Sequence, residues 1–188
     1  MTLVKQALET DQVVLTLKGI TMKIDGLVAL DDVTFRIPAG QIVSLIGPNG
    51  AGKTTAYNVI SGYMQPTSGK VRLFDEDITG HTPHSIAARG LVRSFQRTSV
   101  FDDQSVFDNL LTAYHLQGRA SLTQSLLRLP KFRREEEQLK TQVWEMLDFL
   151  ELRHRADERA ASLSYGEQRI LGVGIALAAS PKILLLDE

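Results

Sequence analysis

The feature that most constrains this chain is the glycine-rich segment 47–55, which reads GPNGAGKTT. It fits the pattern G-x-x-x-x-G-K-[ST], follows a short apolar run and precedes a segment that is typical of a helix. Glycines let backbone N–H groups wrap around a phosphate, and the positive end of the following helix favours an anion. The segment therefore predicts a phosphate-binding loop between a strand and a helix.

The side chains at the end of this segment indicate which phosphate compound binds. Lys53 brings a positive charge near the β- and γ-phosphates, and Thr54 offers a hydroxyl to Mg²⁺. Thr55 is placed for a further phosphate contact. We therefore expect ATP and Mg²⁺ as cofactors. The expected nucleotide-binding residues of the loop are Gly47, Pro48, Asn49, Gly50, Ala51, Gly52, Lys53, Thr54 and Thr55.

Two carboxylates follow an apolar run at the far end of the sequence. Asp187 and Glu188 come directly after Ile183, Leu184, Leu185 and Leu186. Open α/β sheets place their ligands at the ends of such strands, so Asp187 is the expected Mg²⁺ ligand and Glu188 the group that polarises the attacking water. A solvated strand end is the alternative for such a pair alone, and the loop upstream favours the functional interpretation.

A third motif, LSYGEQ at residues 163–168, predicts the beginning of a helix. Ser164 and Glu167 fit the S-x-x-E capping box, in which each residue satisfies a backbone N–H of the other. Gly166 would also allow an anion to approach the helix N-terminus closely. Taken alone, these residues favour an ordinary helix start, and an anion site is the alternative.

The periodicity of apolar residues predicts α/β architecture. Residues 13–46 are β-rich, and the apolar run 42–46 is expected to be a strand covered on both faces. From residue 107 to residue 178 the pattern is strongly helical. The other predicted elements are a helix over 53–64, strands over 70–74 and 91–96, a short helix over 83–90 and a buried strand over 182–186.

The composition of the chain argues against several classes of function. The chain has 188 residues, with 21 basic and 22 acidic side chains, and its formal net charge of -1 offers no overall attraction to a polyanion, so no nucleic-acid partner is expected. The absence of cysteine excludes disulfides and thiolate metal sites. No apolar stretch approaches the roughly 20 residues that span a bilayer, and no signal peptide is evident, which favours the cytoplasm.

The three motifs in this order, with Gln96 after a strand, resemble the ATP-binding subunits of ABC transporters. Segment 47–55 is similar to the Walker A loop, residues 163–167 to the signature motif, and residues 183–188 to the Walker B strand with its catalytic glutamate. The resemblance implies a P-loop NTPase fold of the ABC type, with a β-rich N-terminal subdomain, a central sheet and a helical subdomain. It implies one domain over 1–188. Its expected parts are a catalytic core at 1–96 and 181–188 and a helical subdomain at 97–180.

In that family two such domains pair head to tail, so the resemblance implies a second ATP-binding subunit, either a copy of this chain or a different one. Ser164, Gly166 and Glu167 would then bind the ATP held by the partner. Gln96 would bind Mg²⁺ and act in catalysis with Lys53 and Glu188. The resemblance also implies transmembrane permease subunits and, indirectly, a substrate-binding protein. The chain would then be peripheral on the inner face of the cell membrane.

The finer sequence details resemble the branched-chain amino-acid importers. They are the segment VRSFQ at 92–96, the tyrosine of the signature motif and the insert at 125–137. Three alternatives stay open. They are the ATPase of another ABC transporter, such as a lipopolysaccharide exporter, a soluble ABC ATPase of translation or DNA repair, and a P-loop kinase, which would leave the signature motif unexplained.

The sequence departs from the family pattern at several places. Ile24 matches the position where an aromatic residue normally stacks on adenine. Gly172 and Gly174 lie in the helix after the signature, where each costs roughly 1 kcal/mol relative to alanine unless packing requires a small residue. The chain also ends at Glu188, before the D-loop and the switch histidine of the family. We therefore expect a C-terminally truncated domain whose 188 residues alone hydrolyse ATP poorly.

Overall fold

The computed structural model describes residues 12–94, 100–115 and 130–187. It divides the chain into two compact units, Met1–Leu91 and Val92–Glu188. The predicted site residues Gln96 and Glu188 lie outside the described residues. The division of the chain into a catalytic core and a helical subdomain stays a prediction.

The first unit is built on a four-stranded antiparallel sheet. Its strands are β1 (Val13–Ile24), β2 (Leu27–Pro38), β3 (Ser68–Leu73) and β4 (Glu76–Asp77), in the order β2-β1-β3-β4. Asp25 and Gly26 join the first two strands, with φ of 47° and 84°, the conformation that favours a tight two-residue hairpin. The buried face alternates along the strands, as expected for a sheet covered on one side. Its main residues are Leu15, Leu17, Val71 and Leu73.

Two helices lie in the part of this unit that the structure describes. Helix α1 (Lys53–Ile60) buries Ala56, Val59 and Ile60, and it is shorter than the predicted helix over 53–64. It ends early because Ser61 leaves helical geometry and Gly62 follows with φ of 78°. Helix α2 (Pro83–Ala88) begins at Thr82, whose hydroxyl oxygen accepts a hydrogen bond from the Ser85 N–H at 3.4 Å.

The prediction of a buried strand at 42–46 is wrong for this structure. The segment forms no strand, and its large apolar side chains are exposed, with Ile42 at 100% and Ile46 at 92% of full exposure. The physical reason is that no strand within the described ranges pairs with it. An apolar segment becomes an interior strand only when neighbouring strands satisfy its backbone groups.

The second unit is mainly helical, as predicted. Its described residues form the helices α3 (Val106–His115), α4 (Pro130–Phe149) and α5 (Tyr165–Ala178), and the last two are linked by two short 3₁₀ turns, Arg153–Arg155 and Ala160–Ser162. Helix α3 packs against both α4 and α5. The core of this unit comprises Val106, Leu110, Val143, Leu147, Leu150, Leu152, Ala156, Ala160, Leu163 and Leu171.

Strands β5 (Leu91–Ser94) and β6 (Ile183–Leu186) pair in a separate two-stranded sheet. The predicted strand before Asp187 is therefore present. Only part of it is buried, since Leu185 is 7% exposed whereas Leu186 is 50% exposed. Within the part of the chain that the structure describes, no helix has both the length and the apolar character needed to cross a membrane.

Candidate nucleotide-binding site

The backbone conformation of Gly52 is the first notable feature of the predicted phosphate-binding loop. This residue has φ of 81°, a left-handed conformation that glycine adopts without strain. A β-carbon at this position would also lie 2.5 Å from the carbonyl oxygen of Ala29 and 2.9 Å from the Leu30 side chain, both on β2. The close approach of loop and sheet therefore requires glycine for two independent reasons.

The N-terminus of helix α1 has the features of an anion-binding helix end. No side chain caps it, since Gly52 is the N-cap residue, and no acidic residue lies in its first turn. The first N–H groups of a helix have no partner within the helix, and they carry the positive end of its dipole. The helix therefore directs N–H donors toward the glycine-rich loop, as a phosphate requires.

The side chain of Lys53 binds to the backbone at the beginning of the same loop. Its ammonium group donates hydrogen bonds to the carbonyl oxygens of Gly47, at 2.7 Å, and Pro48, at 2.9 Å. The Ala51 N–H donates to the same Pro48 oxygen at 3.2 Å. The charge of the lysine is thus held at the beginning of the loop. Thr54, beside it on α1, is exposed.

The capping box at the signature helix is confirmed. The Ser164 hydroxyl oxygen accepts a hydrogen bond from the Glu167 N–H at 3.3 Å, and the Ser164 N–H donates to a Glu167 carboxylate oxygen at 2.8 Å. No atom lies within 4 Å of the position where Gly166 would carry a β-carbon. The beginning of helix α5 is therefore capped by two hydrogen bonds, and the space beside Gly166 is open.

Arg155 supports this helix end and was missed by the sequence reasoning. Its Nη1 donates to both carboxylate oxygens of Glu158 at 2.9 Å, and its Nε lies 3.4 Å from a carboxylate oxygen of Glu167. The hydrogen bonds with Ser164 lower the pKa of Glu167, and the charge of Arg155 acts in the same direction. No periodic pattern connects Arg155 with Glu167, so the sequence offered no signal for this contact.

The predicted metal ligand Asp187 is held by Arg93. The Nη2 atom of Arg93 donates to Oδ2 of Asp187 at 2.5 Å, and the two side chains are only 8% and 15% exposed. Beside this ion pair, the Ser94 hydroxyl donates to the carbonyl oxygen of Leu185 at 3.4 Å. The pairing of β5 with β6 thus places a charged side chain from one strand beside the carboxylate that follows the other.

The predicted site residues fall into both units. The loop 47–55 belongs to the first unit, whereas Ser164, Gly166, Glu167 and Asp187 belong to the second. Thr54 and Asp187 supply a hydroxyl and a carboxylate, the oxygen donors that Mg²⁺ takes in small number beside phosphate oxygens. The described residues contain no group of three or more His, Cys, Asp and Glu side chains that could hold a metal without such help. Taken separately, the hydroxyl of Thr54 and the carboxylate of Asp187 are each a donor of the kind that Mg²⁺ accepts.

A family model for ABC transporters matches residues 30–188 of this chain. The chain belongs to the ABC transporter family. The resemblance drawn from the motifs is thus confirmed, and with it the identification as an ATP-binding ATPase of the ABC type.

Two curated relatives support this ABC assignment and name a transport system. The chain is 39% identical over 175 residues to the high-affinity branched-chain amino acid transport ATP-binding protein BraF of Pseudomonas aeruginosa, and it spans 69% of that protein. It is 38% identical over 177 residues to the protein of the same description, LivG, of Escherichia coli, again over 69% of its length. These alignments cover 93% and 94% of this chain.

Solved structures confirm the ABC-type fold. A nucleotide-free ATP-binding cassette from an ABC transporter matches with a TM-score of 0.76 at 32% identity, over 94% of this chain and 69% of that one. The ADP conformation of the cassette MJ1267 matches with a TM-score of 0.75 at 32% identity, over 92% of this chain and 67% of that one.

Proposed function

We propose that this chain hydrolyses ATP to energise the import of branched-chain or similar amino acids. The observation that carries the proposal is the identity of 38–39% with two ATP-binding proteins of branched-chain amino acid transport, over more than nine-tenths of this chain. The geometry of loop 47–55 supports it, because the loop combines a tight glycine backbone, an uncapped helix end and a lysine ammonium group.

In this proposal the loop binds the phosphates of ATP, and the ammonium group of Lys53 faces the β- and γ-phosphates. The hydroxyl of Thr54 and the carboxylate of Asp187 bind Mg²⁺, directly or through water. When bound, Mg²⁺ neutralises phosphate charge. Gln96 joins the metal site, and Glu188 polarises the attacking water. These last two roles come from the resemblance of their motifs.

The signature residues act on a nucleotide held by a second ATP-binding subunit. The Ser164 hydroxyl oxygen already accepts a hydrogen bond from the Glu167 N–H, so its own proton can be donated to a phosphate. Gly166 leaves room for this approach, and Glu167 fixes the backbone of Ser164. The proposal thus includes a dimer, made with another copy of this chain or with a related subunit.

The transport role requires transmembrane permease subunits, and a substrate-binding protein would contribute indirectly. We place the chain at the inner face of the cell membrane, attached through the permeases. Residues 97–111 are the proposed contact with them. Asn109 orders the described part of this segment, since its side chain, 1% exposed, accepts from the Phe101 N–H and donates to the carbonyl oxygens of Phe101 and Ser105.

The first test is equilibrium binding of a fluorescent ATP analogue to the purified chain. Lys53→Ala should weaken binding at least about tenfold, because it removes a charge-assisted contact with the phosphates. Lys70→Ala is the matched control, since it removes a lysine whose side chain is 69% exposed and which pairs with Asp77 on the sheet. Equal affinity of the Lys53→Ala and Lys70→Ala proteins would refute the loop assignment.

The second test addresses transport. The chain is combined with permease and binding-protein subunits in vesicles, and ATP-dependent uptake of leucine, isoleucine and valine is measured. Uptake that requires ATP and is lost with Lys53→Ala is the expected result. Failure of this chain to support uptake of any of the three, in vesicles where a known homologue restores it, would contradict the substrate assignment.

A further inference from the structure

The ion pair between Arg93 and Asp187 is the most shielded one in the described part of the chain. Its two side chains are 8% and 15% exposed. In the six other ion pairs found there, every side chain is at least 23% exposed. A pair removed from water to this extent is screened only weakly by salt, and its geometry is held by the surrounding protein.

The pair restricts what the carboxylate of Asp187 can do. An arginine side chain keeps its charge, so separating these two shielded opposite charges would cost free energy. Asp187 is therefore expected to keep its bond to Arg93 through Oδ2 when it binds another group. Its second oxygen, Oδ1, accepts no hydrogen bond from any residue that the structure describes, and this oxygen remains for a ligand.

We propose that Arg93 is the positioning residue of the metal site, because it fixes Asp187 through Oδ2 and presents Oδ1 to Mg²⁺ or to a water bound to it. The inference rests on the proposed role of Asp187 as a magnesium ligand. Hydrogen-bonded partners of ligating carboxylates commonly alter metal affinity by about 10- to 100-fold when they are replaced. Arg93 is such a hydrogen-bonded partner of Asp187.

The guanidinium group matters for its shape as well as its charge. Arginine presents a planar, fixed set of donors, whereas lysine is a point charge on a flexible stem. Arg93→Lys therefore keeps the charge and loses the fixed direction of the hydrogen bond. Arg93→Met loses both but keeps a long side chain. The two variants separate the effect of geometry from that of charge.

The experiment measures binding of a fluorescent ATP analogue to the 188-residue protein, with increasing Mg²⁺ and separately in EDTA. The Mg²⁺ concentration that gives half of the metal-dependent change should rise about tenfold with Arg93→Met and by a smaller factor with Arg93→Lys. Affinity in EDTA should stay unchanged for both. Arg153→Met is the matched control, because it breaks an exposed arginine–aspartate pair with Asp148.

Asp187→Asn distinguishes the positioning role of Arg93 from the metal-binding role of Asp187. If it abolishes the Mg²⁺ dependence while Arg93→Met behaves as the wild type, the positioning role is refuted and the metal role of Asp187 stands. If Asp187→Asn also leaves the Mg²⁺ dependence unchanged, the assignment of Asp187 fails. Tighter Mg²⁺ binding by Arg93→Met would also overturn the proposal, because Arg93 would then compete with the metal. Should Arg93→Met not fold, a wild-type Mg²⁺ requirement in Arg93→Lys overturns it.

Discussion

Gly174 of helix α5 lies against Leu150 so closely that a β-carbon on the glycine would come within 2.4 Å of the leucine Cδ1 atom. The Cδ2 atom of Leu110 lies 3.2 Å from the same point. Gly172, two residues earlier on the helix, has no atom within 4 Å of its hypothetical β-carbon. Packing therefore explains one of the two glycines in this helix and leaves the other without a structural requirement.

The two glycines should respond oppositely to alanine. Gly172→Ala should raise the free energy of unfolding by up to about 1 kcal/mol, because alanine favours the helix and restricts the unfolded chain. Gly174→Ala should lower it by about 1–3 kcal/mol, because the added methyl group overpacks a buried contact. Urea unfolding followed by circular dichroism measures both. A Gly174→Ala protein as stable as Gly172→Ala would show that Leu150 moves aside freely.

Ile24, in the hairpin at the end of β1, allows a test in which a substitution should increase the affinity for ATP. If Ile24 lies against adenine, Ile24→Tyr should tighten binding of ATP by about two- to tenfold, since aromatic stacking contributes about 0.5–1.5 kcal/mol. Val28→Tyr is the matched control. Val28 pairs with Lys23, the neighbour of Ile24, so it points to the opposite face of the hairpin. Equal effects of the two tyrosines would place adenine elsewhere.

The capping box should make the stability of the protein depend on acidity through Glu167. The hydrogen bonds with Ser164 lower the pKa of this carboxyl in the folded state, so its contribution is complete above the unfolded pKa. That contribution is lost as pH falls below the ordinary carboxyl range and through the lower folded pKa. Glu167→Gln should keep the helix cap and lack this pH-dependent term.

The measurement is the melting temperature of both proteins from pH 7 to pH 3. Other carboxyl groups titrate in the same range, so the difference between the wild type and Glu167→Gln isolates Glu167. The wild type should lose more stability than the variant over this interval. Parallel curves for the two proteins would mean that the Glu167 carboxylate contributes nothing specific to its charged form.

Local patterns in the sequence predicted those features that depend on near neighbours. The capping box of Ser164 and Glu167 spans four residues, so a short motif was sufficient to identify it. The segment 42–46 was misjudged because its apolar composition says nothing about whether a strand is available to pair with it. The contact of Arg93 with Asp187 joins residues 94 positions apart, a separation at which no periodicity of side chains can indicate proximity.

The burial of Asn109 is another feature that the sequence pattern could not predict. Its three hydrogen bonds to backbone groups of Phe101 and Ser105 order the chain that enters helix α3. The helical pattern around residue 109 predicted a helix, and a polar residue within it could equally face water. Only the fold of the preceding loop decides that this amide is turned inward.

The hydrogen bonds from Lys53 to the carbonyl oxygens of Gly47 and Pro48 have a consequence for the thermodynamics of ligand binding. Side-chain and loop entropy that a flexible loop would lose on binding is already lost when this loop folds. A phosphate must instead replace existing partners of the ammonium group, so the observed enthalpy of that contact is a difference between two sets of hydrogen bonds. Calorimetry should therefore show a small entropic cost and a modest enthalpy for this part of the ligand.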